Sequence, residues 1–259
     1  MNRHARLSAL LDLMGEAGHV DAVAVARQLD VSASTIRRDL NYLHDQQLVT
    51  RTRGGAVATT ISYDLPIRYR SAGRRGDKAR IGEAAARLVG VHDIVGLNGG
   101  STTTEVARAL AAREWPDQRT APLTIVTNAI NIAGELTVRR HVKLVMTGGV
   151  ARAQAFELTG PLASGTLAQI TLDWAIIGVN ALDPAAGARA SDEDEAQVNR
   201  LMVERAGSVA VVADSSKLRA RAFAHICPVQ DIDVVVTDVS ADPGTVRQLR
   251  AQGVQVMLA

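Results

Sequence analysis

Two stretches of this chain have residue types and spacings that can do chemistry: one suits recognition of phosphate, the other a grip on duplex DNA. The first is Asn98-Gly99-Gly100-Ser101-Thr102-Thr103-Thr104; the second combines Arg37 and Arg38 with Arg51, Arg53 and Gly54-Gly55. Glycines let a backbone approach an anion, and hydroxyls with the open amides of a helix start can satisfy several phosphate oxygens. No Gly-Lys-Ser/Thr follows the glycines, so this is not a P-loop, and the dinucleotide GxGxxG spacing is absent. The same turn also suits plain capping of a helix by hydroxyls. Further polar, glycine-rich turns follow other apolar runs: Thr127-Asn128, Thr147-Gly148-Gly149, Gly178-Val179-Asn180 and Asp214-Ser215-Ser216-Lys217. Lys217 suits a second cation for a phosphate, with Asp214 holding it or reading hydroxyls. Either also suits a surface pair worth under about 1 kcal/mol.

The arginines need elements that aim them. Ile36, Leu40 and Leu43 fall at i, i+4 and i+7 and form one apolar stripe, which leaves Thr35, Arg37, Arg38, Asn41 and Tyr42 on other faces. Ser32 is placed to cap that helix through the amide of Thr35. Val23, Ala26, Arg27 and Leu29 suggest a preceding helix, and Leu7, Leu10, Leu11 and Met14 an amphipathic helix before it. Gly54-Gly55 permits a tight turn with positive φ that holds Arg51 and Arg53 at a hairpin tip. Three helices and such a hairpin make a winged helix-turn-helix, a module that grips duplex DNA.

Charge is distributed accordingly. Residues 1–57 carry 7 Lys and Arg against 6 Asp and Glu, residues 58–80 carry 6 against 2, and residues 81–259 carry 16 against 19. Basic charge is therefore concentrated in the wing and linker, and the remainder is mildly acidic. The segment 58–77, rich in Thr, Ser, Pro and Gly without a sustained period, is expected to be a linker between residues 1–57 and a second domain at 78–259. Neither a run of about 18 apolar residues nor a signal-like N-terminus is present, so a soluble cytoplasmic protein is expected. Cys227 has no partner for an internal disulfide and reads as a small core residue. The residues call for no cofactor and no metal.

From Lys78 onward, apolar runs at Asp93–Asn98, Leu123–Thr127, Val142–Thr147, Trp174–Gly178, Ser208–Ala213, Val234–Thr237 and Val254–Leu258 alternate with helical patterns at Ile81–Leu88, Glu105–Ala112 and Ala196–Arg205. This predicts an α/β domain with a mainly parallel sheet, whose ligands bind beyond the carboxyl ends of the strands.

The run TIRRDLNYLHDQQLVTRTRGGAV resembles the N-terminal domain of DeoR-family bacterial transcriptional regulators. LNGGSTTTEVA, VTNAINIA, MTGG, LTGPLA, DWAIIGVNALD and VVADSSKL are similar to the sugar-phosphate effector domain of that family, in the same order. The resemblance implies an effector domain like ribose-5-phosphate isomerase in fold. It also implies a homo-oligomeric repressor, with operator DNA and a phosphorylated sugar as partners. Gly99, Gly100, Ser101, Thr102 and Thr103 would take the phosphate, and Asp214 and Lys217 would line the pocket with Asn98, Asn128, Gly148, Gly149, Asn180 and Glu195. Ser32, Ser34, Thr35, Arg37, Arg38, Asn41, Arg51, Arg53 and Gly54 would meet DNA. Asn98 stands where aspartate is typical, and Asn199 where lysine is common. The acidic run Ser191–Glu195 starts a helix, where carboxylates favour the dipole.

Two rivals remain. One is a sugar-phosphate isomerase-like enzyme with an appended DNA-binding domain, which would need a positioned base and a charge stabiliser. No compact acid-lysine-glycine constellation of that kind is visible. The other makes the C-terminal part a pure dimerisation module, which does not call for glycine-hydroxyl turns at several strand ends.

Overall fold

The computed structural model describes residues 3–17, 19–45, 49–58, 75–115, 123–152 and 155–259. The chain divides into two compact units, 1–73 and 74–259. Most of the expected linker, 59–74, lies outside the described residues. Its last three positions do not belong to a linker: Arg75-Gly76-Asp77 form the first turn of a helix, with Asp77 where the dipole favours a carboxylate and paired to Arg80 at 2.6 Å.

In the first unit, α1 (Arg3–Ala17) buries Leu7, Leu10, Leu11 and Met14 to 5% exposure or less. The short strand β1 (His19–Asp21) leads into α2 (Ala22–Gln28), which Asp21 caps by accepting from the amides of Val23 and Ala24, both at 2.9 Å. After a turn through Asp30, whose φ is +50°, comes α3 (Ala33–Asp45). Ile36, Leu40 and Leu43 are fully buried against α1 and α2, as their spacing predicts. A hairpin of β2 (Val49–Arg51) and β3 (Gly55–Ala58) completes a three-stranded sheet in the order β1-β3-β2. This is a winged helix-turn-helix.

The second unit is a seven-stranded sheet, parallel throughout, with helices on both faces. Its strands are β4 (Ile94–Leu97), β5 (Leu123–Thr127), β6 (Val142–Met146), β9 (Leu172–Gly178), β12 (Ala206–Val212), β14 (Val234–Thr237) and β15 (Gln255–Leu258). The order is β15-β14-β12-β9-β4-β5-β6. Every strand predicted from an apolar run is present, its ends shifted by no more than two residues. Side chains alternate between faces. Leu97, Ile125, Ile176 and Val212 pack with α4 (Arg75–Ala86), α5 (Ser101–Ala112) and α6 (Ile130–Leu136). On the other face Val126, Ile177, Val211 and Val235 pack with α7 (Pro161–Leu167), α8 (Glu193–Glu204) and α9 (Pro243–Ala251).

Two small antiparallel additions lie outside the predicted pattern. One is the pair β7 (Val150–Arg152) and β8 (Glu157–Thr159); the other is β10 (Ala181–Asp183), β11 (Gly187–Ala190) and β13 (Ala224–Cys227). Cys227 is 2% exposed, and burial pushes its thiol up to about 12, which leaves it protonated near neutral pH and inert.

Candidate DNA-binding and effector sites

The exposed face of α3 is built from its own first turn outward. The Ser32 hydroxyl accepts the Thr35 amide at 3.1 Å and lies 2.8 Å from the hydroxyls of both Ser34 and Thr35, so three hydroxyls cluster at the helix start. Ser32, Ser34, Arg37, Arg38 and Asn41 are exposed, and Thr35 is half-buried. Tyr42 is not part of that outward face. It is half-buried, and the guanidinium of Arg3 stacks 4.4 Å from its ring centre.

Between the two arginines and Leu40 sits Asp39, 2% exposed. Its carboxylate pairs with Arg6 of α1 at 2.5 Å, and Arg3 lies 3.8 Å from it. The acid of the TIRRDL segment thus fixes the recognition helix to α1, a role that the sequence did not disclose. Asp39→Ala would leave Arg6, 12% exposed, without its partner. Thermal unfolding should show the N-terminal unit destabilised by about 3 kcal/mol, the cost of breaking a largely buried pair. An unchanged profile would remove the anchoring role.

At the wing, Gly54 has φ +95°, and its carbonyl accepts the Ala22 amide at 2.9 Å. Arg53 is exposed at the tip. Arg51 differs from expectation: it is half-buried and donates to the Gly55 carbonyl at 2.5 Å, so part of its guanidinium is spent within the wing.

In the second unit the strands whose ends carry the predicted turns, β6-β5-β4-β9-β12, are contiguous and parallel, so those turns share one edge of the sheet. Chain order reverses between β4 and β9, the switch point where open α/β sheets place ligands. Asn98 bridges that point. Fully buried, it donates from Nδ2 to the Gly178 carbonyl at 2.9 Å and accepts the Gly178 amide on Oδ1 at 2.8 Å. A carboxylate, which accepts only, could not make both bonds. Asn98 therefore positions the two strand ends.

Gly100, with φ +140°, stands at the head of α5, where no side chain donates or accepts as a cap. The leading amides of a helix have no intrahelical acceptor. Thr103 and Thr104 turn their hydroxyls back to the Gly100 carbonyl at 3.1 and 2.7 Å, and Ser101 is half-buried. Thr102 and Thr103 are buried. Gly99 is pressed against a residue that sequence reasoning missed. A Cβ on Gly99 would lie 2.3 Å from Oε1 of Glu157, which is 1% exposed. The only sequence signal was a lone acid inside the short run Phe156-Glu157-Leu158.

Glu157 is carried there by β8. Asn128, after β5, holds that strand by donating to the Leu158 carbonyl at 3.1 Å, and the Leu158 amide donates to the Asn128 carbonyl at 2.7 Å. Gly148 and Gly149 have φ +70° and +126°, and a Cβ on Gly149 would meet the Thr159 carbonyl at 2.6 Å. The other predicted residues make contacts of their own. Asn180 accepts the Ser191 amide at 3.0 Å. Glu195 pairs with Arg152 of β7 at 3.4 Å, beside the Arg152–Asp192 pair at 3.0 Å. Asp214 accepts the Ser216 amide at 3.1 Å and so caps the turn Ser215–Lys217, in which Lys217 is half-buried. Asn199 is fully buried on α8.

Comparison with known proteins accounts for both halves. A model of the DeoR-like helix-turn-helix domain matches residues 6–62, and one of the DeoR C-terminal sensor domain matches residues 74–239. The chain belongs to the DeoR family. Relatives within the family align along nearly the whole chain. The HTH-type transcriptional regulator GlpR of Haloferax volcanii is 30% identical over 97% of this chain and 96% of its own length. The glycerol-3-phosphate regulon repressor of Escherichia coli K12 is 28% identical over 100% of both chains. The HTH-type transcriptional repressor GlcR of Bacillus subtilis is 29% identical over 100% of this chain and 97% of its own length. Among solved structures, ribose 5-phosphate isomerase A of Neisseria gonorrhoeae is similar at a TM-score of 0.39 and 18% identity, over 56% of this chain and 53% of that one. As a DeoR-family member, the protein is a DNA-binding transcriptional regulator. Among the described residues, no helix is long and apolar enough to cross a membrane.

Proposed function

We propose that this protein is a cytoplasmic, homo-oligomeric repressor of carbohydrate-metabolism genes whose operator binding is changed by a phosphorylated sugar held at the switch-point edge of its sheet. The observation that carries the reading is the uncapped head of α5 at the junction of β4 and β9, with glycines at the closest approach. Thr35, Arg37, Arg38 and Asn41 would enter or flank the major groove. Arg53 and the remaining donors of Arg51 would contact backbone or minor groove, with the Ser32–Ser34 start of α3 at a phosphate. Ser101, Thr102 and Thr103 would hold the effector's phosphate, and Lys217 would add positive charge. The three relatives above are a transcriptional regulator and two repressors by name, which favours a non-enzymatic role over the isomerase-like rival.

Arg38→Ala is expected to weaken specific operator binding by about 1–3 kcal/mol while leaving non-specific binding less affected, as for a base-reading residue. Titrating operator and scrambled duplexes by fluorescence anisotropy checks this, and an equal loss on both marks a phosphate contact instead. Ser101→Ala tests the other half: the operator isotherm without effector stays within about twofold of wild type, and the effector-dependent shift, typically about 1–3 kcal/mol, shrinks.

A further inference from the structure

The head of α5 is held in place through a carbonyl. That of Gly100 accepts the Thr104 amide at 3.0 Å and the hydroxyls of Thr103 and Thr104 at 3.1 and 2.7 Å. A peptide group is planar, with its C=O and N–H fixed in opposite directions. Whatever aims the Gly100 carbonyl therefore aims the Ser101 N–H, the first of the amides that open α5. Gly100 has φ +140° and ψ 157°, outside the helical range, so the bonds to its carbonyl, and not the helix alone, set that direction. One of those bonds depends on the next helix. Asn131, in the first turn of α6, donates from Nδ2 to Thr104 Oγ1 at 2.9 Å. The Ile130 amide beside it is fixed to the Phe156 carbonyl at 2.8 Å. With Asn131 donating to its oxygen, the Thr104 hydroxyl turns its single proton to Gly100. The other end of the Asn131 amide, Oδ1, is buried and has no hydrogen-bond partner among the described residues. An unpaired buried acceptor lowers stability, so the fold alone would favour an apolar residue there. The amide is explained by its donor, and the donor by Thr104.

We infer that Asn131 is a positioning residue for effector binding: through Thr104 it locks the Gly100–Ser101 peptide and so aims the Ser101 N–H at the phosphate of the ligand. This rests on the reading of Gly99–Thr103 as the phosphate cradle and deepens it. Ser101, Thr102 and Thr103 supply donors, and Asn131 supplies direction without itself touching the ligand. A donor already aimed binds an anion without reorganising first, which raises affinity. The Asn131 amide thus acts in opposite senses on the two properties, lowering the stability of the fold and raising the affinity of the site.

Calorimetric titration of the 259-residue chain with glycerol 3-phosphate and inorganic phosphate, beside thermal unfolding without ligand, tests the inference. Asn131→Leu and Thr104→Val should each weaken binding of the tighter probe by about tenfold, the scale of one hydrogen bond to a charged group. The double variant should bind no more weakly than either single one, because both substitutions cut the same relay. Thr104→Ser keeps the hydroxyl and should restore wild-type affinity to within about twofold. With both partners apolar, the double variant should unfold at or above the wild-type temperature. A merely structural pair would lower stability and affinity together. That result, additive losses in the double variant, or affinities unchanged in both single variants overturns the inference and leaves the cradle standing. If Asn131→Leu does not fold, the contrast of Thr104→Val with Thr104→Ser decides, and failure of both single variants to fold overturns the inference as well. Binding of neither probe by wild type overturns the cradle reading and the inference together.

Discussion

Gly55→Ala is expected to abolish specific operator binding, with a loss of more than about a hundredfold, because it separates the wing from the body of the N-terminal unit. A Cβ at this position would lie 1.9 Å from the Val20 carbonyl oxygen, 2.9 Å from its carbon and 3.2 Å from the α-carbon of Asp21. All three contacts are backbone, so no side-chain rotation relieves them. β3 would have to leave β1, with which it pairs Gly55 to Asp21, Ala56 to Val20 and Val57 to His19. Severe destabilisation of this size, about 4 kcal/mol or more, is characteristic of a side chain forced against fixed backbone. Gly54 differs: its φ of +95° makes alanine strained there, but the nearest atom to a Cβ is a side-chain oxygen of Asp21 at 3.5 Å. Gly54→Ala should therefore cost about 1 kcal/mol, with the wing retained. Amide exchange across Val49–Ala58 and operator titration check the contrast. Equal behaviour of the two variants would mean that the close approach of β3 to β1 does not control the wing.

Gly99→Ala should remove the response to effector and leave operator binding near wild type. The added methyl would sit 2.3 Å from Oε1 and 2.4 Å from Cγ of Glu157, a buried side chain with little room to retreat. Relieving that clash would move the backbone at the head of α5, where the effector's phosphate is proposed to sit, and the effector concentration needed to shift operator affinity should rise by about a hundredfold. Combining Gly99→Ala with Glu157→Ala restores space and should recover phosphate binding. The readout is the operator isotherm at increasing sugar phosphate. A Gly99→Ala protein that still responds at wild-type concentrations would place the effector elsewhere.

Much of the architecture was legible because its signals are local. The inner strands are largely buried, so each reads as a short run rich in Val, Ile and Leu, and turn residues mark where each run stops. The recognition helix was legible from three apolar positions and one capping serine. What the sequence withheld depends on partners distant in the chain. Asp39 reads as a surface acid until Arg6, 33 residues earlier, is seen to bury it. Arg51 reads as a wing-tip cation until its guanidinium folds onto Gly55. Asn98 was visible as a departure from the family pattern, but only the facing backbone of Gly178, 80 residues away, shows why an amide serves there. Glu157 was missed altogether, because β8 is a three-residue strand whose position comes from bonds to the segment after β5 and not from periodicity of its own.

The measurement that tests the central claim most directly is sequencing of genomic fragments retained by the 259-residue chain at near-physiological salt, with and without a mixture of phosphorylated sugars. A small set of sites beside carbohydrate-metabolism genes, with occupancy altered by the sugars, is the predicted result. Retention without sequence preference would contradict it, since that would leave the basic wing with electrostatic affinity alone.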